Sequence, residues 1–142
     1  MGDLFILNLE TLDDLSQLSS VNFFGQDLAI SRTAITDLND IRIESDSMSI
    51  INLTSNPSLV DLSNLASLTQ LGTIYLWQND ALSSLAGFEQ LERVNAELDF
   101  RGQPQLLDFS ELVNLEYVYD FELFRTYFQD LSGLENLSLI HI

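Results

Sequence analysis

INLTSNPSLVDLSNLASLTQL, residues 51–71, is the stretch whose spacing decides the fold. Its inward candidates are Ile51, Leu53, Leu59, Leu62, Leu65, Leu68 and Leu71. Ile51 and Leu53 flank one residue, as two side chains on one face of a short strand do. The later leucines recur at every third residue. A sustained spacing of three suits neither the 3.6-residue helix nor the two-residue strand. It suits a chain that turns a corner at each step and places one leucine inside each corner. One such coil cannot bury its own apolar face. Coils must therefore stack, with strands paired in parallel about 4.8 Å apart.

Working outward, the same pattern returns along the chain. With Leu4, Leu28, Ile51, Ile74, Leu98 and Phe121 as anchors, the spacings are 24, 23, 23, 24 and 23 residues. A second apolar residue follows each anchor two positions on: Ile6, Ile30, Leu53, Leu76, Phe100 and Leu123. The fourth repeat continues through Leu82, Leu85, Phe88, Leu91 and Val94, and the fifth through Leu106, Phe109, Leu112, Leu115 and Val118. The first runs through Leu12, Leu15, Leu18, Val21 and Phe24. Repeats two and six are one residue shorter after the strand and match each other at Arg32-Thr33 and Arg125-Thr126, then at Asp37-Leu38 and Asp130-Leu131. The second repeat ends in Glu44-Ser45-Asp46-Ser47, where core residues are due, so a bulged or mobile coil is expected there.

Five residues after their anchors stand Asn56 and Asn79. Asparagine at a bend bonds nearby backbone and can repeat as a ladder. Leu9, Thr33, Gln103 and Thr126 occupy the position in the other coils, so the ladder is expected to be partial. Pro57 and Pro104 follow the bend, where a missing N–H is tolerable.

The unit resembles the bacterial receptor L-domain type of leucine-rich repeat. The likeness rests on Gly2-Asp3-Leu4-Phe5-Ile6, on Leu53-Thr54-Ser55-Asn56-Pro57-Ser58-Leu59 and on Leu131-Ser132-Gly133-Leu134-Glu135-Asn136-Leu137. The family's glycine after each last core position is mostly missing, with Gly25 and Gly72 the nearest matches. The resemblance implies a repeat solenoid: a right-handed, single-stranded parallel β-helix, here with about six coils of 23–24 residues. It also implies ligand or partner recognition outside the cell, in a bacterial cell-surface or secreted protein. It carries over no catalytic residue.

Composition bounds the function. The 142 residues include 46 % hydrophobic residues and only eight Gly plus Pro, enough for one packed domain. There is no cysteine, hence no disulfide and no thiolate metal site. No apolar run approaches the roughly 20 residues of a membrane-spanning helix. The N-terminus, Met1-Gly2-Asp3, lacks a signal peptide's basic region. Acids number 22 against five bases, all arginine (Arg32, Arg42, Arg93, Arg101, Arg125), for a net charge of −17. Such a chain repels nucleic acid and anionic membranes. The acids read as a solvated surface, or as an adaptation to saline surroundings in which salt screens self-repulsion.

Solenoids need polar end caps, and neither end shows one. Residues 1–136 are therefore expected to be a solenoid cut from a longer chain, with end-to-end self-association of bare coils as a possible consequence. Residues 137–142, Leu-Ser-Leu-Ile-His-Ile, match the in-frame translation of a transposon mosaic-end adaptor. A non-native tail, or the start of a missing continuation, is expected there, and the single histidine, His141, carries no functional weight.

Outward columns locate the candidate site. The residue between each apolar pair is Phe5, Ala29, Asn52, Tyr75, Asp99 or Glu122; two positions on stand Leu7, Ser31, Thr54, Trp77, Arg101 and Phe124. Large aromatic and apolar residues facing water, with an arginine among them, are the types that dominate binding hot spots. Phe5, Leu7, Tyr75, Trp77, Asp99, Arg101 and Phe124 are the candidate binding face, for a protein or carbohydrate ligand. The same side chains could equally brace the sheet, with Arg101 stacked on Trp77. The column Asp3, Asp27, Ile50, Thr73, Glu97 and Asp120 offers only adjacent acid pairs, so no calcium site, and no cofactor, is expected. Without Cys, Lys, a usable His or a phosphate-binding glycine loop, catalysis is not expected; Asp99, Glu122, Arg101 and Arg125 form the best constellation available. The rival to a recognition module is a structural spacer with no ligand of its own.

Overall fold

A computed structural model describes residues 2–23, 25–125 and 127–140; of Leu139 and Ile140 only the backbone is described. The chain is a parallel β-solenoid of about five turns with almost no helix. Strands β1 (Leu4–Leu9), β3 (Asp27–Thr33), β5 (Ser47–Asn52), β6 (Gln70–Tyr75), β7 (Arg93–Asp99), β8 (Tyr117–Glu122) and β9 (Leu139–Ile140) form one seven-stranded parallel sheet in chain order. Strands β2 (Asn22–Phe23) and β4 (Arg42–Ile43) form a second small parallel ladder. The only helical elements described are two 3-10 turns, Ser16–Leu18 and Ser63–Leu65. No helix among the described residues is long and apolar enough to cross a membrane. Six anchors enclose five anchor-to-anchor circuits, one fewer than the six coils expected.

The registers pair anchor with anchor: Leu4 with Leu28, Leu28 with Ile51, Ile51 with Ile74, Ile74 with Leu98 and Leu98 with Phe121. The 24-residue step from Ile74 to Leu98 has a local cause in β7. Leu71 pairs with Val94 but Ile74 with Leu98, and Val94 pairs with Val118 but Glu97 with Asp120. Strand β7 therefore carries one extra residue between Val94 and Glu97, absorbed as a bulge.

The period of three is a run of turns. The Leu65 N–H donates to the Leu62 carbonyl at 2.9 Å and the Leu68 N–H to the Leu65 carbonyl at 3.0 Å. Phe88 to Leu85, Leu91 to Phe88, Leu112 to Phe109 and Leu115 to Leu112 repeat this at 2.8–3.0 Å. Each inward side chain thus sits three residues, and one i→i+3 bond, from the last. At the head of these turns an acceptor side chain bonds the amide two residues on in every coil. Asp14, Asp37, Asp61, Asp108 and Asp130 accept from Ser16, Asn39, Ser63, Ser110 and Ser132 at 2.7–3.0 Å, and Ser84 accepts from Ala86 at 3.0 Å. Five of the acids that read as plain solvated surface are therefore turn-formers.

All 21 core positions expected of repeats three, four and five are buried. The outer coils differ. In the first, Leu15 is buried, Leu4, Ile6, Leu12 and Leu18 are partly so, and Val21 is exposed while Phe23 takes the interior; Phe24 lies outside the described residues. In the sixth, Phe121, Phe128, Leu134 and Leu137 are partly buried and Leu123 and Leu131 exposed. An outer coil has a neighbour on one side only, so pattern alone overstates its burial. The stretch 44–47 is not the bulge expected. The Asp46 carbonyl accepts from the amides of Thr69 and Gln70 at 2.8 and 3.2 Å, and Met48 supplies the buried side chain, paired with Leu71.

The asparagine ladder forms inside the bend. Asn56 Oδ1 accepts from the Thr33 amide at 3.1 Å and the Thr33 hydroxyl at 2.7 Å, and its Nδ2 donates to the Ile30 carbonyl at 2.8 Å. The Asn56 amide donates to Asn79 Oδ1 at 2.9 Å, and Asn79 and Gln103 both donate to the Leu76 carbonyl. Thr33, Asn56, Asn79 and Gln103 are all buried. The ladder position expected at Thr126 lies outside the described residues, as does His141.

Candidate functional site

One residue before the ladder, the backbone enters the left-handed region in every coil. Asn8, Arg32, Ser55, Gln78, Gly102 and Arg125, each four residues past its anchor, have φ of 55–66°. In coils three to six this column lies beyond the strand end, whereas β1 and β3 run one residue past it; no composition signal marks it, because five of the six are not glycine. It also moves part of the expected binding face. Strands β6, β7 and β8 stop at Tyr75, Asp99 and Glu122, so Trp77, Arg101 and Phe124 lie in the bend beyond them rather than on the strands.

Tyr75 reaches across to β7 and donates its hydroxyl to Glu97 Oε2 at 2.9 Å. That bond, aided by burial, pushes the phenol above its ordinary value. Asp99, expected to face water, is 0 % exposed: Arg101 folds over it. Arg101 Nε donates to both Asp99 oxygens at 2.9 and 2.8 Å, and the Arg101 amide donates to Oδ1 at 3.0 Å. A second guanidinium nitrogen lies 3.4 Å from Glu122 Oε2. The hydrogen bond to Asp99 holds the Arg101 proton more firmly than usual. Carboxylate oxygens of Glu97, Asp99 and Glu122 lie within 4.8 Å of one another. This trio was not expected, because the sequence columns pair acids only along one level at a time, whereas Glu97 and Asp99 share a face at i and i+2. Its counter-charge is Arg101.

The guanidinium of Arg101 lies 5.9 Å from the centre of the Trp77 ring, and that of Arg125 lies 5.4 Å from Phe124. Trp77, Gln78, Arg101, Gly102, Phe124 and Arg125 line one cleft. Phe124 is 63 % exposed and the Arg101 side chain 42 %, while Trp77 is half-buried. The expected face is thus divided. Trp77, Arg101 and Phe124 come together, Asp99 holds Arg101, and Tyr75 turns to Glu97 instead of joining the cleft. Phe5 and Leu7 are well exposed but stand on β1, with β3 and β5 between them and β6, and do not join the group. Gln78, Gly102 and Arg125 are lining residues that the sequence columns missed, because the columns stopped at the last outward strand position.

A second cleft follows the same bend through coils one to four, lined by Glu10, Arg32, Thr33, Ser55, Pro57, Gln78 and Asp80. Arg32 donates to Asn8 Oδ1 at 3.1 Å, and Ser55 Oγ lies 2.8 Å from Gln78 Oε1. The chain matches no protein-family model, no curated protein and no solved structure.

Proposed function

We propose that this chain is a non-catalytic recognition module, of the leucine-rich L-domain-like type and right-handed, from a bacterial cell-surface or secreted protein. Its ligand, a protein or a glycan, docks on the cleft beside Trp77, Arg101 and Phe124. The observation that carries the reading is the exposure of aromatic rings around a guanidinium that buried Asp99 holds in place. A fixed, part-exposed Arg between two rings offers apolar area and directed donors at little cost in side-chain entropy. Bracing alone would favour mutual burial, yet the Trp77 ring, with a coil on either side, is only half-buried.

The test is to probe arrays of extracellular proteins and glycans with the protein and with Trp77→Ala/Phe124→Ala. The reading expects binding by the parent, lost in the double variant, with unchanged far-ultraviolet circular dichroism. A parent that binds nothing on either array supports the spacer role instead. A double variant that unfolds would show that the rings brace the bend, which removes the reading's support.

A further inference from the structure

The two clefts along the bend meet at Gln78, which lines both, and are taken together as one furrow. It begins at Glu10 and Arg32 in the first coils and reaches Phe124 and Arg125 in the last. Five steps of about 4.8 Å make it roughly 24 Å long, parallel to the solenoid axis. Five residues of the left-handed column, Arg32, Ser55, Gln78, Gly102 and Arg125, line it. Ser55 and Gln78 present a hydroxyl and an amide there. At Gly102 the furrow is open: an added Cβ would meet nothing nearer than the Gln78 nitrogen at 3.9 Å. Trp77 and Phe124 flank the open end.

We infer that this furrow binds a linear, uncharged oligosaccharide laid across the coils, with about one sugar ring per coil. The inference rests on the recognition reading above and names its ligand. Three observations support it. The first is the repeat. A hexose unit in an extended chain advances by close to the coil spacing, whereas an extended peptide advances 3.3–3.4 Å per residue and falls out of step. The second is charge. The net −17 of the molecule repels a polyanion. Within the furrow the charges are close to balance: Arg32 and Arg125 face Glu10 and Asp80, and Arg101 is already paired with Asp99, so neither a polyanion nor a polycation finds a complementary track. A neutral polyhydroxy chain needs no such track. The third is the lining itself. Side-chain donors and acceptors recur from coil to coil for hydroxyls, and ring faces stand at one end for the C–H face of a sugar.

The experiment is calorimetric titration of the 142-residue chain with neutral β-1,4-linked glucose, mannose and N-acetylglucosamine oligomers of two to six units. Oligogalacturonate and oligolysine are the charged comparisons. At least one neutral series should bind, tightening with each added unit, and both charged oligomers should fail. Ser55→Arg tests the far half. Arg32 already occupies the equivalent backbone position, so the fold tolerates the side chain, which fills the furrow two coils from Gly102. It should abolish the gain from the longest oligomers and spare the shortest. Gly102→Gln, filling the open space, should weaken the six-unit oligomer about tenfold or more. Circular dichroism checks both folds.

Binding of no neutral series, tighter binding of a charged oligomer, or affinity independent of length overturns the inference. If a protein ligand is instead lost on Trp77→Ala/Phe124→Ala while no sugar binds, the recognition reading stands and the glycan inference falls.

Discussion

Arg101 closes over the carboxylate of Asp99, two residues before it, so that a fully buried acid is neutralised by a base that still faces solvent. The pair ties the end of β7 to the bend. Removing the Arg101 side chain leaves Asp99 without its counter-charge, held only by a backbone donor and opened to water on the side the guanidinium covered. Breaking a buried pair costs 3–5 kcal/mol, and the half-exposed guanidinium lowers the expectation for Arg101→Ala to about 2 kcal/mol. Asp99→Ala added to Arg101→Ala should recover part of that loss, because no charge is then stranded. Urea midpoints of the two single variants and the double variant measure both effects. A double variant less stable than the sum of the singles would contradict this account.

The Asn56 ladder leads to a second expectation. Asn56→Ala strands the Thr33 amide and the Ile30 carbonyl in the buried bend. At 1–3 kcal/mol for each stranded group, the loss should be about 3 kcal/mol. Asn56→Thr should cost less, since Thr33 fills the same place one coil away. Equal loss in both variants, read from thermal unfolding, would argue that volume and not hydrogen bonding governs the position.

Two glycines with positive φ should differ in how much an alanine costs. Gly133 has φ 95°, and an added Cβ would lie 1.8 Å from the Phe109 carbonyl oxygen, one coil below. Gly102 has φ 66° and open space beside it. Gly133→Ala therefore forces adjacent coils apart, with an expected loss of about 3 kcal/mol, whereas Gly102→Ala meets only the 1–2 kcal/mol of left-handed strain. Similar urea midpoints for the two variants would show that coil spacing at Gly133 is not set by this contact.

The solenoid and its interior were legible in the sequence because the central coils are constrained on both sides. Leu59, Leu62, Leu65 and Leu68 each fill one corner, and a polar residue at any of them would be stranded. The outer coils were less legible: whether Val21 or Phe23 turns inward depends on contacts that a repeat pattern does not contain. The site was half legible. Outward parity found Tyr75, Trp77, Arg101 and Phe124, but parity ends where the strand ends, so it could not foresee the bend column or the burial of Asp99. The turn-forming aspartates had a signal, Asp-apolar-Ser at residues 14–16, 61–63, 108–110 and 130–132, which the excess of acids concealed.

Three of those aspartates contribute to the acid response, and the net charge governs the salt response. Amides and hydroxyls of Ser16, Ser63 and Ser132 bond the carboxylates of Asp14, Asp61 and Asp130 and hold them below the ordinary aspartate value of 3.8. Because the folded values are lowered, their contribution to stability is full above the unfolded value and is lost as pH falls through the folded ones. Stability should therefore drop below about pH 3.8. Self-repulsion acts in the opposite sense, since protonation reduces the net charge of −17. Salt separates the two. Raising ionic strength from 0.01 to 1 M shortens the Debye length from about 30 to about 3 Å. At pH 7 the melting temperature should rise with salt; no change would remove the reading of the acidity as an adaptation to brine. At 1 M, with repulsion screened, the acid-side loss should persist, because short hydrogen bonds to turn amides are not screened away. Replacing the three aspartates by asparagine, which keeps an acceptor oxygen but does not titrate, should flatten that acid limb. An acid limb unchanged in the triple variant would assign the loss to other carboxylates.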